Sequence, residues 1–334
     1  MDRKRLFPIL LIVFTNILGA GVILPILPLY AEGQFGGTIL QITLLSTSFF
    51  AAQFLAAPWL GRLSDRHGRR PVLIVSQVGT VLAFILFILA VPLSQVIDSW
   101  GLALPMSGGM IMLYVARILD GITGGNITTA QAYVTDVTPE EHRAQGLGLV
   151  QAAFGVGFIF GPALGGVLGN LGPVVPFVGA AIITTGTLLL TVFTLEESLP
   201  PEARAGDQPD AEPRPSIPLT EFLRIGPLRV ILAVGFFASL AFAAVPATFA
   251  LYANRVLFPD LPDPGRTQLY IGLMLTFNGL MQVVTQLALL KPLVSRLGER
   301  KLLLLGMGAL LVASVGVASA ESEISPFNKK CRRN

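Results

Sequence analysis

Cysteine is almost missing from this chain: 334 residues include one, Cys331, so no internal disulfide can form and no thiolate cluster is on offer to a metal. Histidine is nearly as scarce. His67 and His142 both fall outside the apolar segments, and neither an H-E-x-x-H pair nor a nucleophile elbow occurs, so hydrolytic chemistry lacks its parts. No G-x-x-x-x-G-K-[ST] phosphate loop is present, which removes direct use of ATP. No metal or cofactor is expected, nor any enzymatic activity. Charge is the third scarcity: Asp, Glu, Lys and Arg make up 13% of the chain, against roughly a quarter in soluble domains. Apolar residues make up 53%, so water is not the main solvent of this chain.

What is present is a series of long greasy segments. Those at 6–30, 38–60, 71–93, 108–132, 144–168, 174–195, 227–253, 268–290 and 302–320 are each apolar enough to cross a bilayer, whose hydrocarbon core takes roughly 20 helical residues. That counts nine spans. Lipid cannot hydrogen-bond the backbone, and these runs lack the alternation of a barrel strand, so the fold class is all-α, a polytopic membrane helix bundle. The basic residues sit in the turns and form no face interleaved with aromatics, which argues against nucleic acid. Arg3, Lys4 and Arg5 precede the first span; Arg62 to Arg70, Arg143, Arg204, Arg214, Arg224 and Lys291 to Lys301 follow even-numbered spans. The connections at 31–37, 94–107 and 169–173 hold no Lys or Arg, and 254–267 holds only Arg255 and Arg266. The positive-inside rule then places the N-terminus in the cytoplasm of a multi-pass protein of the cell membrane. The first span is too long for a signal peptide and lacks a cleavage site, so it stays as an anchor.

Between the second and third spans lies Gly61-Arg62-Leu63-Ser64-Asp65-Arg66-His67-Gly68-Arg69-Arg70. An acid in so tight a turn can accept hydrogen bonds from helix-start amides, while its Arg neighbours engage carboxylates or lipid phosphates. The pattern resembles the hairpin of the major facilitator superfamily of secondary transporters. That resemblance implies a latch: Gly61, Asp65, Arg66, Gly68, Arg69 and Arg70 would hold two bundles together on the cytoplasmic side and release them during the switch. The segment Leu293-Val294-Ser295-Arg296-Leu297-Gly298-Glu299-Arg300 can be laid over Leu63 to Arg70, with Ser295 where Asp65 stands. One half of the chain echoes the other, as the parallel repeats of this architecture do. The expected domains are a six-helix bundle over 1–195, a Pro- and acid-rich solvated linker over 196–226, an incomplete bundle of about three helices over 227–320, and an atypical basic tail over 321–334. Three further spans would complete the second half, so the chain reads as shortened at its C-terminus. The odd number of spans, which places the basic tail outside, points the same way.

Three motifs inside spans carry the chemistry. The first span is punctuated by Gly19, Gly21, Pro25 and Pro28, and prolines free backbone carbonyls toward a cavity or a neighbouring helix. The fourth holds Arg117 and Asp120, three residues apart on one face. A charge at mid-membrane costs at least about 2.5 kcal/mol and is rarely accidental. Loss of water and the adjacent guanidinium act on the Asp120 proton in opposite directions. Asp120 is thus a protonation site or one arm of a permanent ion couple. Arg117-x-x-x-Gly121 resembles the family's fourth-helix motif, which implies proton coupling. The fifth span carries Gly157, Gly161, Pro162, Gly165 and Gly166. It is no dinucleotide loop, since no strand precedes it. It resembles the antiporter motif of drug exporters, where it packs the halves and limits leak.

Polar residues inside the remaining spans, Asn16, Gln53, Asn126, Gln151, Asn278 and Gln282, with Gln41 and Gln286, line the central cavity or bond neighbouring helices. The chain is similar to tetracycline exporters from its first span through Gly166, although Asn16 stands about where those carry an acid. The resemblance implies a proton-driven antiporter of small amphipathic or drug-like molecules, acting as a monomer by alternating access. Two rivals remain: a non-transporting membrane receptor or scaffold, and an inactive shortened transporter fragment.

Overall fold

The computed structural model describes residues 3–99, 106–124, 126–200, 202, 226, 229–230, 233–234, 249–258 and 264–331. Among them there is no strand. The all-α expectation holds, and five helical stretches are long and apolar enough to cross a membrane. Most of the expected seventh span and most of the 196–226 linker lie outside the described residues.

The first expected span is two helices, α1 (Arg3–Ile23) and α2 (Leu27–Phe35). Pro25 has no amide proton to continue α1, so the chain makes one tight turn in which the Ile26 amide donates to the Ile23 carbonyl at 2.9 Å. Pro28 then opens α2, where a missing N–H costs nothing. Helix α3 (Ile39–His67) begins with a reciprocal cap, the Gln41 amide donating to the Thr38 hydroxyl at 3.3 Å and the Thr38 amide to the Gln41 side chain at 2.9 Å. Gln41 therefore caps a helix. After the hairpin come α4 (Arg69–Ser99) and α5 (Gly108–Thr123).

The fourth expected span, 108–132, is also broken: α5 ends at Gly124 and α6 (Asn126–Val137) starts anew. The break comes at Gly124, which caps α5, and glycine propagates helix poorly. A single 3₁₀ turn, Glu140–His142, leads into α7 (Arg143–Gly169), and α8 (Val175–Thr194) follows. Further on are a π-helical turn at Ala253–Leu257, α9 (Pro264–Val284), a second π turn at Thr285–Leu289, and α10 (Leu290–Cys331). The separate tail expected from 321 is, through Cys331, a continuation of α10.

Two cores hold the first eight helices. Tyr30, Phe84, Phe87 and Phe177 meet at one end, with ring centroids 4.8 Å apart for Tyr30 and Phe177 and 5.3 Å for Phe87 and Phe177. Leu6, Ile9, Leu73, Tyr133 and Val150 form the other, beside the hairpin. The outward faces stay apolar: Phe54 is 78% and Phe193 80% exposed. A contiguous greasy exterior of this kind is the reverse of what an aqueous surface tolerates.

Candidate functional site

The hairpin is a closed electrostatic knot. Gly68 sits at φ 100° and ψ 164°, a conformation essentially restricted to glycine, and this sharp turn swings Arg69 back under α3. Arg69 is buried and donates to Asp65 at 2.6 Å, to the Ser64 hydroxyl at 2.8 Å and to Asp136 at 3.0 Å. The exposed first amides of α4 find a carboxylate: the Arg69 and Arg70 N–H groups donate to the two oxygens of Glu197 at 2.8 and 3.2 Å. An anion at a helix N-terminus is stabilised by the helix dipole as well as by these bonds. Arg70 also donates to the Val192 carbonyl at 2.7 Å, and Ser198 donates to Asp136 at 3.0 Å. Gly61 is half-buried and Arg66 exposed.

Asp136 and Glu197 were not among the residues expected from sequence. Both are acids next to the inner ends of spans four and six, within reach of a basic hairpin, but other acids share those connections, so the sequence does not single them out. Glu197 stands at the start of the expected linker. Its carboxylate, held by the hairpin amides, also accepts from the Ser198 and Leu199 amides at 3.0 and 3.1 Å. Each of these bonds joins elements within residues 64–199.

The second site lies where α5 crosses α3 and α4. Arg117 and Asp120 pair at 3.4 Å with side chains only 12% exposed. The Arg117 guanidinium lies 4.0 Å from the centroid of the Phe49 ring, a cation–π contact. Gly121 lets α5 approach α3, since a Cβ there would stand 2.5 Å from the Phe49 carbonyl oxygen. Gln53, expected at the cavity, donates to the Gly124 carbonyl at 2.8 Å and so satisfies the backbone group freed where α5 breaks. The Ser76 hydroxyl does the same for the Thr123 carbonyl.

The third site is the glycine face of α7, which has two sides. Gly157, Gly161 and Gly165, four residues apart, face α1: a Cβ at Gly157 would be 2.8 Å from the Phe14 carbonyl oxygen, one at Gly161 2.7 Å from the Gly21 Cα, and one at Gly165 would overlap the Val22 carbonyl. Gly166 and Pro162 face α9, where Gly272 stands 2.5 Å, by the same measure, from the Pro162 carbonyl oxygen. Gly279 continues this strip against Ile159. One sequence motif thus seats two helices at once, and its α9 partners were not foreseen. Of the other cavity candidates, Asn278 borders an apolar recess of about 540 Å³ with Phe249, Met274 and Met281. Asn16 is half-buried and Gln151 exposed, while the side chains of Asn126, Gln282 and Gln286 lie outside the described residues. No group of three or more His, Cys, Asp or Glu residues among the described residues is placed to hold a metal.

Comparison with known proteins gives this geometry a context. Tetracycline resistance protein, class C, of Escherichia coli is 32% identical over 324 residues, covering 96% of this chain and 74% of that protein. Multidrug resistance protein 2 of Bacillus subtilis is 30% identical, covering 93% of this chain and 72% of that protein. The crystal structure of the human organic anion transporter MFSD10 superposes with a TM-score of 0.57 at 23% identity, covering 96% of this chain and 84% of that one. The family model that matches residues 9–324 is that of the Major Facilitator Superfamily, a family of transporters of small molecules, and the chain is a multi-pass membrane member of it.

Proposed function

We propose that the chain exports small amphipathic or drug-like molecules from the cell in exchange for protons, by alternating access between two helical bundles. The observation that carries this reading is the buried Arg117–Asp120 pair on a broken transmembrane helix in a chain whose relatives are named for tetracycline and multidrug resistance. Among the described residues Asp120 is the one buried acid, so it is the group we assign to proton binding, with Arg117 as its partner. A long 3.4 Å contact and a second anchor on Phe49 leave Arg117 held when Asp120 takes up a proton. The α7 glycine strips keep α1 and α9 close enough to exclude water from the path, which supports export without leak. The hairpin knot of Asp65, Arg69, Asp136 and Glu197 serves as the cytoplasmic latch on the first bundle.

In this reading the N-terminus and the hairpin face the cytoplasm, the exposed apolar surface meets the lipid of the plasma membrane, and the protein works as a monomer. Substrate efflux measured in inverted membrane vesicles under an imposed pH gradient tests the function. Wild-type vesicles should accumulate a fluorescent amphipathic substrate when acidified inside, and Asp120→Asn should abolish that accumulation. Accumulation by Asp120→Asn at the wild-type rate would remove Asp120 from the coupling step. Gradient-independent behaviour of the wild type would favour a receptor or an inactive fragment.

A further inference from the structure

The knot at the hairpin joins only elements of the first half, so what ties the two halves of the chain together must be sought elsewhere. The α7–α9 glycine strip is one such tie, and a second lies at the opposite end of the bundle. Glu32 on α2 forms an ion pair with Arg255 in the π-helical turn at Ala253–Leu257, the two side chains being 27% and 45% exposed. Beneath the pair, Leu24 and Leu29 of the first half pack on a buried cluster of Ala250, Ala253, Ile271 and Leu275 from the second. Below that seal runs the α7–α9 glycine strip, in which a Cβ on Gly166 would stand 2.9 Å from the Gln268 carbonyl oxygen. Charge, apolar seal and close backbone contact therefore coincide on one face.

That seam also contains an unsatisfied group. The side-chain oxygen of Gln268 is buried without a hydrogen-bond partner and occupies the space that a Cβ on Gly169 would take. A buried acceptor with no donor opposes the closed arrangement, because opening would let water reach it. The exposed ion pair opposes opening, and pairs of that kind contribute little each. The two contributions have opposite sign, which suits a closure that must be made and broken in every cycle.

We infer that Glu32 and Arg255 form the clasp of a gate on the face opposite the hairpin, closed in the conformation described here, with Gln268 as the built-in counterweight that keeps the closure reversible. The inference rests on the alternating-access reading above and adds the residues that operate one of its two gates. None of them belongs to the hairpin, the Arg117–Asp120 pair or the glycine motif. In the sequence Arg255 is one of two basic residues in its connection and Glu32 is not singled out; the fold brings them together across 223 residues.

The test uses the full chain in proteoliposomes, carrying Cys331→Ser and one reporter thiol, Leu29→Cys, beneath the clasp. Labelling by a membrane-impermeant maleimide added from the side opposite the hairpin reads how often the seam opens. Glu32→Gln or Arg255→Gln should speed labelling by roughly two- to fivefold, the range a pair this exposed supports. Exchanging the charges, Glu32→Arg with Arg255→Glu, should restore the parent rate, which shows that misfolding is not the cause. Gln268→Leu should act in the other direction and slow labelling by roughly fivefold or more, because an orphaned acceptor no longer favours the open form. Labelling rates unchanged in the two charge variants, or unrestored by the exchange, would overturn the clasp. Faster labelling in Gln268→Leu would overturn the counterweight. A disulfide between Glu32→Cys and Arg255→Cys should also stop vesicle efflux until reduced, and full efflux from the cross-linked protein would sink the gate. Because labelling needs no transport, a wild type that shows no efflux but responds to these substitutions would retire the transport reading and leave the gate standing.

Discussion

Replacing Gly161 by Ala adds a single methyl group, and the structure says where it lands. It would stand 2.7 Å from the Gly21 Cα and 3.0 Å from both the Gly21 carbonyl carbon and the Leu18 carbonyl oxygen. All three are backbone atoms, so no side chain can swing aside. Carbon atoms in good contact lie about 3.5–4.0 Å apart, so α1 and α7 would have to separate by roughly 1 Å. Overpacking of this kind costs about 1–3 kcal/mol, of which Ala regains about 1 kcal/mol through its better helix propensity. Gly148 on the same helix provides the control, because a Cβ there meets nothing within 4 Å, and Gly148→Ala keeps only the propensity gain. In detergent, followed by thermal denaturation, Gly161→Ala should melt several degrees below Gly148→Ala, given roughly 2–4 °C per kcal/mol for chains somewhat smaller than this one. Gly21→Ala pushes on the same contact, its Cβ 3.0 Å from the Gly161 Cα. Once the helices have parted, the second methyl adds little, so the double variant should lose less than the two single losses summed. A Gly161→Ala protein that melts with or above Gly148→Ala would refute the close approach of α1 and α7, and with it the structural account of the motif.

Glu197→Gln keeps the shape of the side chain but removes the charge that receives the first two amides of α4; it should lower stability by about 1–2 kcal/mol, measured by thermal denaturation, and adding salt should narrow the gap to wild type. Gln53→Leu leaves the Gly124 carbonyl unsatisfied at the end of α5 and should cost about 1–3 kcal/mol, whereas Gln151→Leu, at an exposed position, should leave the melting temperature unchanged. Gly68→Ala and Gly298→Ala both force a side chain into backbone reserved for glycine, at a cost of roughly 1–3 kcal/mol each. Only at Gly68 would the methyl also collide with a carboxylate, that of Glu197, since nothing lies within 4 Å at Gly298. Gly68→Ala should therefore be the more damaging of the two in the same melting assay.

What could be read from the sequence was whatever the bilayer dictates locally. Helix rather than strand follows from the length of each apolar run, and the orientation expected for the hairpin follows from where Arg and Lys accumulate. Long apolar windows are insensitive to breaks inside them, which is why 6–30 and 108–132 read as single spans when Pro25 and Gly124 divide them. The site was legible where a motif lies in one segment, as with Arg117 and Asp120 or Gly157 to Gly166. It was illegible where the partner comes from far away. Asp136 and Glu197 meet Arg69 only because α4, α6 and the end of α8 gather beside the hairpin. Gln53 shows a choice the sequence leaves open, cavity ligand or interhelical bond: its side chain donates across to the Gly124 carbonyl at the end of α5.

The two hairpins show what repetition conserves and what it releases. Gly68 at φ 100° and ψ 164° and Gly298 at φ 74° and ψ 159° adopt nearly the same turn, so the echo seen in the sequence extends to backbone geometry. Around that shared turn the charges differ: Asp65 corresponds to Ser295 and Arg69 to Glu299. The second copy lacks the cation that binds Asp65, Ser64 and Asp136 in the first, and its glycine has open space where Gly68 has Glu197. The turn is thus set by helix-to-helix connection, common to both halves, while the ionic knot is an addition to one of them. An asymmetry of this sort is what a switch requires. If both hairpins carried self-sufficient knots, each half would be satisfied alone and neither would gain by meeting the other. With one knot closed within the first half, the halves meet along the α7–α9 strip and at the opposite face, where Glu32 pairs with Arg255. Equilibria balanced to within about 1 kcal/mol are those that a bound molecule or a single proton can tip.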